Sequence, residues 1–288
     1  MAKTKKKREL DIVVISDVHL GTYGCHATEL LKYLKSINPK TVILNGDIID
    51  IWQFNKRYWP NSHMKVIKYI IGWISEGKEM IYITGNHDEM LRKFVDFNLG
   101  SFSIKNKVVL EFDGKKVWFF HGDVFDVTMQ HSKWLAKLGA TGYDLLILIN
   151  RGVNYISNLF GKGKISLSKK IKDSVKSAVK FINNFEETAA NIAVNNNFDY
   201  VVCGHIHQPV IKNIETNTGV VMYLNSGDWI ENLTALEYHK KQWNLYKYSE
   251  THYQKENVTE KNEEFDVADK TAKEIFGQLV ADFYLKPE

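Results

Sequence analysis

Cysteine and long apolar runs are both scarce in this chain of 288 residues. Its two cysteines, Cys25 and Cys203, cannot form a disulfide framework, so the sequence indicates a cytoplasmic protein rather than a small secreted one. No run of about 18 apolar residues is present, and we therefore expect no transmembrane helix. The basic segment from Lys3 to Arg8 leads directly into a predicted strand, without the apolar stretch of a secretory signal.

A large excess of charge of one sign is also missing, because the formal net charge is only +4. The charge is unevenly distributed, however: the N-terminus and residues 127–190 are basic, whereas the tail after Glu250 is acidic. In residues 127–190, ten lysines and arginines stand against four acidic residues, which leaves six positive charges. No stacking platform or recognised reading motif accompanies these basic stretches, so we do not expect a nucleic-acid partner.

Apolar residues make up 44% of the chain, which is enough for one large core. Continuous apolar runs predict buried parallel strands with helices on both faces of their sheet. Helical spacing separates these runs, so the first third of the chain has the predicted order β-α-β-α-β. The strands are expected at residues 10–16, 41–44 and 80–84, and the helices at residues 27–37 and 62–76.

The later strands are expected to pair antiparallel. Asp113-Gly114, between apolar runs at 108–112 and 115–120, is a strong signal for a tight hairpin. Five further runs indicate an antiparallel second half, and an acidic linker and one amphipathic helix follow them. We therefore divide the chain into a domain at 1–249 and a C-terminal segment at 250–288. The five runs lie at residues 199–203, 210–214, 220–224, 233–238 and 242–248, the linker at 250–267 and the helix at 268–284.

Five of the predicted strands end in a short cluster of Asp, His or Asn. Because the carboxyl ends of strands in an α/β sheet converge on one edge, we expect the five clusters to meet in one place. Histidine nitrogens with carboxylate and amide oxygens suit Mn, Fe or Zn, rather than a thiolate-rich structural site. The clusters are Asp17-Val18-His19, Gly46-Asp47-Ile48-Ile49-Asp50, Gly85-Asn86-His87-Asp88, His121-Gly122-Asp123 and Gly204-His205-Ile206-His207.

The order of these five clusters resembles the calcineurin-like metallophosphoesterases, over residues 11 to about 230. The resemblance implies an α/β (α+β) fold, a four-layer α-β-β-α sandwich with a helical lid inserted at about 127–195. It also implies two divalent metal ions, Mn being our first choice and Fe or Zn fitting as well, with Asp47 bridging them. The implied ligands are Asp17, His19, Asp47 and His207 for one ion, and Asp47, Asn86, His121 and His205 for the other.

The resemblance makes His87 the non-ligand histidine, and the chemistry of the clusters predicts roles for the residues around it. His87 would be a non-ligating catalytic residue that donates a proton or hydrogen bond to a phosphate oxygen. Asp50 or Asp88 would hold the His87 ring in the right tautomer, and we count Asp50 with the catalytic residues. Asp123 would orient a ligand. Turn formation or helix capping is the alternative for these three carboxylates. The implied substrate contacts are Asn86, His87, Asp126 and His205.

The helical insertion resembles the branch that includes the UDP-2,3-diacylglucosamine pyrophosphatases of lipid A synthesis. Its stripe of Ile171, Val175, Val179 and Ile182 is apolar, and its surface is basic. As a lid it would hold a nucleotide lipid and attach the protein peripherally to the inner face of the cell membrane. The alternative is a helical hairpin packed on the core with solvated lysines.

One departure from that branch affects the expected substrate. Its members carry Gly-Asn-Arg-Asp, whereas this chain carries Gly-Asn-His-Asp with His87. Three functions therefore compete: a hydrolase releasing UMP from a UDP-linked lipid, a metallophosphatase of another phosphomonoester or phosphodiester, and a non-catalytic binding module. Four aromatic residues after Asp47 would line an apolar or base-containing substrate, or would simply pack their loop on the core: Trp52, Phe54, Tyr58 and Trp59.

Overall fold

The computed structural model describes residues 7–52, 58–125 and 167–250, with side chains from residue 180 onward in the last range. The chain divides into two compact units, Met1–Tyr248 and Ser249–Glu288, and the predicted C-terminal helix lies outside the described residues. The helices of the first unit are α1 (Ala27–Ser36), α2 (Asn61–Ser75) and α3 (Leu167–Asn195), with a 3-10 helix at Glu89–Phe94. No helix among the described residues is long and apolar enough to cross a membrane.

Twelve strands were assigned in the described residues, and they form two sheets. The seven-stranded sheet has the order β12-β11-β1-β2-β3-β5-β4, and the five-stranded sheet has the order β6-β7-β8-β10-β9. The strands are β1 (Arg8–Ile15), β2 (Ile37–Asn45), β3 (Glu79–Ile83), β4 (Asn98–Leu99), β5 (Phe102–Lys105), β6 (Lys107–Phe112), β7 (Lys115–Phe120), β8 (Tyr200–Cys203), β9 (Val210–Thr216), β10 (Gly219–Asn225), β11 (Thr234–His239) and β12 (Gln242–Lys247).

Three apolar clusters hold these elements in four layers. Tyr33 of α1 and Trp73 of α2 belong to a cluster on one face of the seven-stranded sheet. Ile43 and Phe119 belong to a second cluster between the two sheets. Phe185 of α3 belongs to a third cluster on the outer face of the five-stranded sheet. The predicted α-β-β-α sandwich is therefore confirmed.

The early elements follow the sequence pattern closely. Strands β1, β2 and β3 pair in parallel, with α1 and α2 between them. Strand β2 begins at Ile37 rather than Thr41, although Pro39 lacks a backbone N–H. This proline is tolerated because β2 meets β3 only from Thr41 onward, so no bond on that side is lost. The predicted hairpin is confirmed, with φ of 52° at Asp113 and 70° at Gly114.

The expectation of an antiparallel second half is wrong in two respects. Strand β8 pairs in parallel with both β7 and β10. Strand β11 leaves the second half altogether and pairs antiparallel with β1 in the seven-stranded sheet. The parallel arrangement aims the end of β8 at the same edge as the end of β7, and so brings the last histidine cluster to the others.

Candidate metal centre

The ends of the five strands converge, as the sequence predicts. Side chains from different clusters form three groups in which the nitrogen and oxygen atoms all lie within 4.8 Å of one another. All of the predicted His and Asp ligands occur in these groups. The groups are Asp17 with His19 and His207, Asp47 with His121 and His205, and His19 with Asp50 and His87.

The loops that carry these side chains have an unusual backbone. Five residues of the centre adopt the left-handed region, with φ between 51° and 67°. Such a conformation is uncommon for residues other than glycine and clusters at functional sites. The turns allow a side chain to follow its strand closely and face the same edge. The five residues are Asp17, His19, Asp47, His205 and His207.

Glycines beside the ligands let the loops approach one another. A Cβ atom on Gly85 would lie 2.2 Å from Oδ1 of Asp47, and one on Gly204 would lie 2.4 Å from Oδ2 of Asp17. Any side chain at either position would displace a carboxylate of the centre. The glycines of the motifs therefore serve close packing of ligand-bearing loops.

Several buried atoms of the centre have no hydrogen-bond partner among the described residues. Buried polar atoms are normally paired, so these atoms indicate a missing partner. Four of these atoms belong to four predicted ligands from three different clusters, and cations would provide the partner that each lone pair lacks. The atoms are Asp17 Oδ1, His19 Nε2, Asn86 Oδ1 and His121 Nε2.

His121 shows why positive charge is needed here. Its Nδ1 donates to the carbonyl oxygen of Asn45 at 2.9 Å, so a neutral ring carries its lone pair on Nε2. That Nε2 lies 3.1 Å from Oδ2 of Asp47, a distance at which two lone pairs repel unless a proton or metal ion offsets them. Burial lowers the pKa of His121, but the Asp47 carboxylate outweighs burial and raises this pKa well above its usual value.

The pair formed by Asp17 and His207 repeats this arrangement. Nε2 of His207 lies 3.1 Å from Oδ1 of Asp17, whose other oxygen accepts the backbone N–H of His205 at 3.0 Å. Burial lowers the pKa of His207, yet the Asp17 carboxylate raises it to about 9. Burial raises the pKa of Asp17, and the charge of His207 outweighs it, so that pKa is lowered.

Asp47 lies between the two ligand groups. Its Oδ2 is 3.1 Å from Nε2 of His121 and 3.9 Å from Nε2 of His19, and its Oδ1 accepts the backbone N–H of His87 at 2.8 Å. Burial raises its pKa, but the neighbouring histidines, His121 first, outweigh burial and lower this pKa below its ordinary value. Asp47 is thus ionised and touches both groups.

Asp50 and Asp88 have different roles, although the sequence offered both as partners of His87. Asp50 Oδ2 lies 2.8 Å from Nδ1 of His87 and 3.2 Å from Nδ1 of His19. Burial lowers the pKa of His87, and the hydrogen bond to Asp50 outweighs it, so that pKa is raised. Asp50 therefore contacts the Nδ1 atoms of two histidines and can fix the orientation of both rings.

Asp88 instead joins two loops. Its Oδ1 accepts the backbone N–H of Gly85 at 2.6 Å, and its Oδ2 accepts the backbone N–H of Ile48 at 3.0 Å and the hydroxyl of Tyr82 at 2.6 Å. These bonds use both carboxylate oxygens to fix the turns after β2 and β3. The alternative role in turn formation is thus the one that the contacts of Asp88 support.

Asp123 forms an ion pair with Arg92 across the centre. Nη2 of Arg92 lies 2.5 Å from Oδ2 of Asp123 and 3.5 Å from the carbonyl oxygen of Gly85. Arg92, on the 3-10 helix, thereby connects the loop after β3 with the loop after β7. The negative charge of Asp123 also contributes to the raised pKa of His121.

Two residues that support the last histidine had no predicted role. Asn232 donates from Nδ2 to the carbonyl oxygen of His207 at 3.0 Å, and to Asp228. Asp228 is fully buried and its Oδ1 accepts the backbone N–H groups of residues 230–232.

The remaining predicted substrate contacts are of two kinds, those within the described residues and those outside them. His205 lies in the centre, and Asn86, next to His87 in the chain, has a buried Oδ1 without a hydrogen-bond partner among the described residues. Asp126 lies outside the described residues, as do Phe54 and the insertion up to residue 166. The second helical stretch of the insertion corresponds to α3. Its Phe185 is fully buried, and its ring centroid lies 6.3 Å from that of His205. This part of the insertion is packed against the metal centre.

Comparison with known proteins agrees with this arrangement. A family model described as calcineurin-like phosphoesterase matches residues 10–209. The UDP-2,3-diacylglucosamine hydrolase of Blochmanniella pennsylvanica (strain BPEN) is 24% identical over 246 residues, covering 81% of this chain and 93% of that protein. The protein of the same name from Aliivibrio fischeri (strain MJ11) is 22% identical over 243 residues, covering 83% and 98%.

Among solved structures, an archaeal phosphodiesterase is 16% identical with a TM-score of 0.40, covering 82% of this chain and 98% of that one. The curated relatives carry the name of the branch that the motifs resemble, so that expectation is confirmed. The family model spans more than half of the sequence and includes all five clusters. This chain therefore belongs to the calcineurin-like phosphoesterase family and is a metal-dependent phosphoester hydrolase.

Proposed function

We propose that the chain hydrolyses a diphosphate bond at a two-metal centre, with a UDP-diacylglucosamine-like nucleotide lipid as substrate and UMP as one product. The position of Asp47 carries the two-metal part of this proposal. A carboxylate oxygen at 3.1 Å from a nitrogen of one ligand group and 3.9 Å from a nitrogen of the other is suited to bridging two cations.

The ligand sets follow from the same geometry. One cation would be held by the group of Asp17, and the other by the group of His121, with Asp47 common to both. The four unpaired buried atoms support this division, because two belong to each set. Manganese is our first choice, since mixed nitrogen and oxygen ligands suit it, and iron or zinc fits the same atoms. The full sets are Asp17, His19, Asp47 and His207, and Asp47, Asn86, His121 and His205.

When bound, two divalent cations supply Lewis-acid stabilisation of the phosphoryl oxygens during in-line displacement. The side chains orient the substrate and move the proton. We do not assign His87 as a metal ligand. Its Nδ1 lies 2.8 Å from Oδ2 of Asp50, so its Nε2 is available to donate to a phosphate oxygen. The Asp50 carboxylate favours the protonated ring that such a donor requires. Asn86 and His205 would also contact the phosphate.

The names of the relatives support the nucleotide-lipid substrate, and so does the apolar and basic insertion beside the centre. A peripheral attachment at the inner face of the cell membrane would follow from such a substrate. The second candidate is another phosphomonoester or phosphodiester. His87 favours it, because this histidine stands where the pyrophosphatase branch carries arginine.

Release of UMP from UDP-2,3-diacylglucosamine with Mn²⁺ present tests the proposal, alongside bis(p-nitrophenyl) phosphate as a generic ester. We expect both reactions, and we expect Asp47→Asn to lower both by at least about 100-fold because the shared ligand is weakened. Asp96→Asn is the matched control, since this exposed carboxylate contacts only Lys105 among the described residues. Hydrolysis of the generic ester alone would support the assignment of the metal centre and refute the assignment of the substrate. Full activity of Asp47→Asn would refute the bridging role.

A further inference from the structure

Trp52 is a large aromatic side chain left open beside the metal centre. It follows Asp50 by two residues, and its ring centroid lies 5.0 Å from that of His87, with the planes inclined by 38°. It is nevertheless 60% exposed. Tryptophan is buried on average, and an exposed one that contacts a catalytic group points to a binding surface.

Contacts away from His87 account for the neighbouring aromatics but not for Trp52. Trp59 packs against Gly21 and the cluster below the seven-stranded sheet. Tyr58 stacks on Tyr23, with ring centroids 3.7 Å apart. Of the aromatic residues that follow Asp47 in the described part of the chain, only Trp52 contacts His87. The Trp52 ring contacts His87, and most of the surface of the Trp52 side chain is exposed to solvent.

We propose that Trp52 is a specificity-determining residue whose indole stacks on a planar group joined to the phosphate that His87 contacts, either a nucleobase or an aryl ring. The inference rests on the proposed function, because His87 contacts phosphate only if the centre is a phosphoesterase site. An indole carries no charge, so it selects for the ring and not for the phosphate. Stacking of a base on an aromatic side chain strengthens binding by about tenfold or more.

A purely structural role for Trp52 makes a different prediction. If Trp52 only restrained the His87 ring, its removal would weaken every phosphate ligand by the same factor. If it binds a planar group, its removal weakens only those ligands that carry one. The two roles therefore separate in a comparison of ligands that share a phosphate and differ in the ring.

The experiment measures calorimetric binding of UMP, phenyl phosphate and ribose 5-phosphate to the Mn²⁺-loaded protein, with phosphate release followed to correct for turnover. We expect UMP to bind at least about tenfold more tightly than ribose 5-phosphate, and Trp52→Ala to remove most of this difference. Trp52→Phe keeps a π face and should retain it, whereas Trp52→Leu keeps apolar bulk and should not. If Trp52→Ala weakens the binding of both UMP and phenyl phosphate, the site binds aryl groups in general. If it weakens the binding of UMP alone, the site binds the base.

Phe97→Ala is the matched control, because Phe97 is also exposed, at 46%, and lies before the edge strand β4. It should leave all three affinities unchanged. Equal affinities of the wild type for UMP and ribose 5-phosphate would overturn the proposal, as would an equal loss for all three ligands in Trp52→Ala. Failure of the proposed function would be seen in a different experiment. In that case the Asp47→Asn variant would hydrolyse bis(p-nitrophenyl) phosphate at the same rate as the wild type.

Discussion

Asp50 connects two histidines that serve different purposes. One carboxylate oxygen lies 3.2 Å from Nδ1 of His19, which we propose as a metal ligand, and 2.8 Å from Nδ1 of His87, which we propose as the proton donor. A carboxylate that accepts from Nδ1 fixes the tautomer of each ring and directs Nε2 to the site. If both roles hold, we expect this single buried side chain to couple metal affinity to the acid strength of His87.

Replacing Asp50 by asparagine should therefore change two properties together. We expect Asp50→Asn to lower kcat and metal affinity by about 10- to 100-fold each. The carboxylate raises the pKa of His87, so its loss should move the alkaline limb of the rate profile to lower pH. Manganese titration and a profile of kcat against pH check this. Asp96→Asn again serves as the control, and an unmoved alkaline limb would contradict the link to His87.

His63 provides a pH-dependent stability that is independent of the metals. The residue is 2% exposed on α2, and its Nδ1 accepts the backbone N–H of Gly21 at 2.9 Å. Burial lowers the pKa of His63 below its usual 6.5, so the folded state keeps the ring neutral. Its stabilising contribution is present above about pH 6.5 and is lost as the pH falls toward the lowered pKa.

His63→Asn should flatten this dependence. The asparagine Oδ1 can accept the bond from Gly21, but the side chain does not titrate. Between pH 6.5 and pH 5 the wild type should lose stability relative to the variant, by at most about 1.4 kcal/mol per pH unit. Urea denaturation of both proteins at matched metal concentration measures the difference. A difference that stays constant with pH would show that His63 does not titrate in this range.

The convergence of the candidate ligands could be predicted from the sequence because each polar cluster interrupts an apolar run at the point where a strand ends. The distinction between Asp50 and Asp88 could not be found, because both follow a strand at similar spacing and only their contacts differ. Asn232 and Arg92 gave no signal either. Their roles depend on a carbonyl oxygen or carboxylate that is distant in the sequence.

At the scale of elements, α3 supports the metal centre as well as the core. Phe185 packs against Phe125, with ring centroids 5.3 Å apart, and against the ring of His205. A Cβ atom on Gly122 would lie 2.7 Å from its ring. Through Phe185, the helix therefore packs against both the loop after β7 and the loop after β8.

Truncation of Phe185 should affect both the stability of the core and metal binding. We expect Phe185→Ala to lower the free energy of unfolding by about 3–5 kcal/mol, because a fully buried ring leaves a cavity. It should also weaken the metal site of His205, while the site of Asp17 is less affected. Denaturation and metal titration measure the two effects. Phe181→Ala, on the less buried preceding turn of α3, should cost less, and equal costs would contradict this packing.

The elements themselves were predictable where periodicity was long, and their pairing was not. Apolar periodicity reports that a run is buried, but it does not report the direction of the neighbouring strand, so the parallel pairing of β8 was missed. Strands β4 and β5 have two and four residues, too few to show alternation. The hairpin at Asp113 was found because its two-residue turn has its own backbone requirement.

For the whole molecule, metal loading should contribute to stability. Any ligand that binds the folded chain alone stabilises it, by about 2.7 kcal/mol at 100 times the dissociation constant. We expect chelation with EDTA to lower the melting temperature of the wild type and to change that of Asp47→Asn much less. An identical shift in both proteins would mean that the stabilising ion binds elsewhere.

Loading should also release protons. Without metal, the Asp17 carboxylate outweighs the effect of burial and raises the pKa of His207 to about 9, so this ring is charged at pH 7. Metal binding requires its lone pair and must displace that proton. The calorimetric enthalpy of Mn²⁺ binding at pH 7 should therefore vary with the ionisation enthalpy of the buffer. An enthalpy that is independent of the buffer would contradict protonation of the free centre.

The pairing of β1 with β11 has a consequence for biosynthesis. Ile12 lies opposite Tyr238, and the Asp17 carboxylate meets His207, so contacts at the heart of the sheet and of the centre join residues about 200 positions apart. Contacts between such distant residues form slowly. While the ribosome is still making the second half, β1 has an unpaired edge and the first ligands have no partners. The nascent chain can complete its metal centre only after the loop that follows β8 has emerged, and its larger sheet only after β11 and β12 have emerged, so we expect metal insertion late in synthesis.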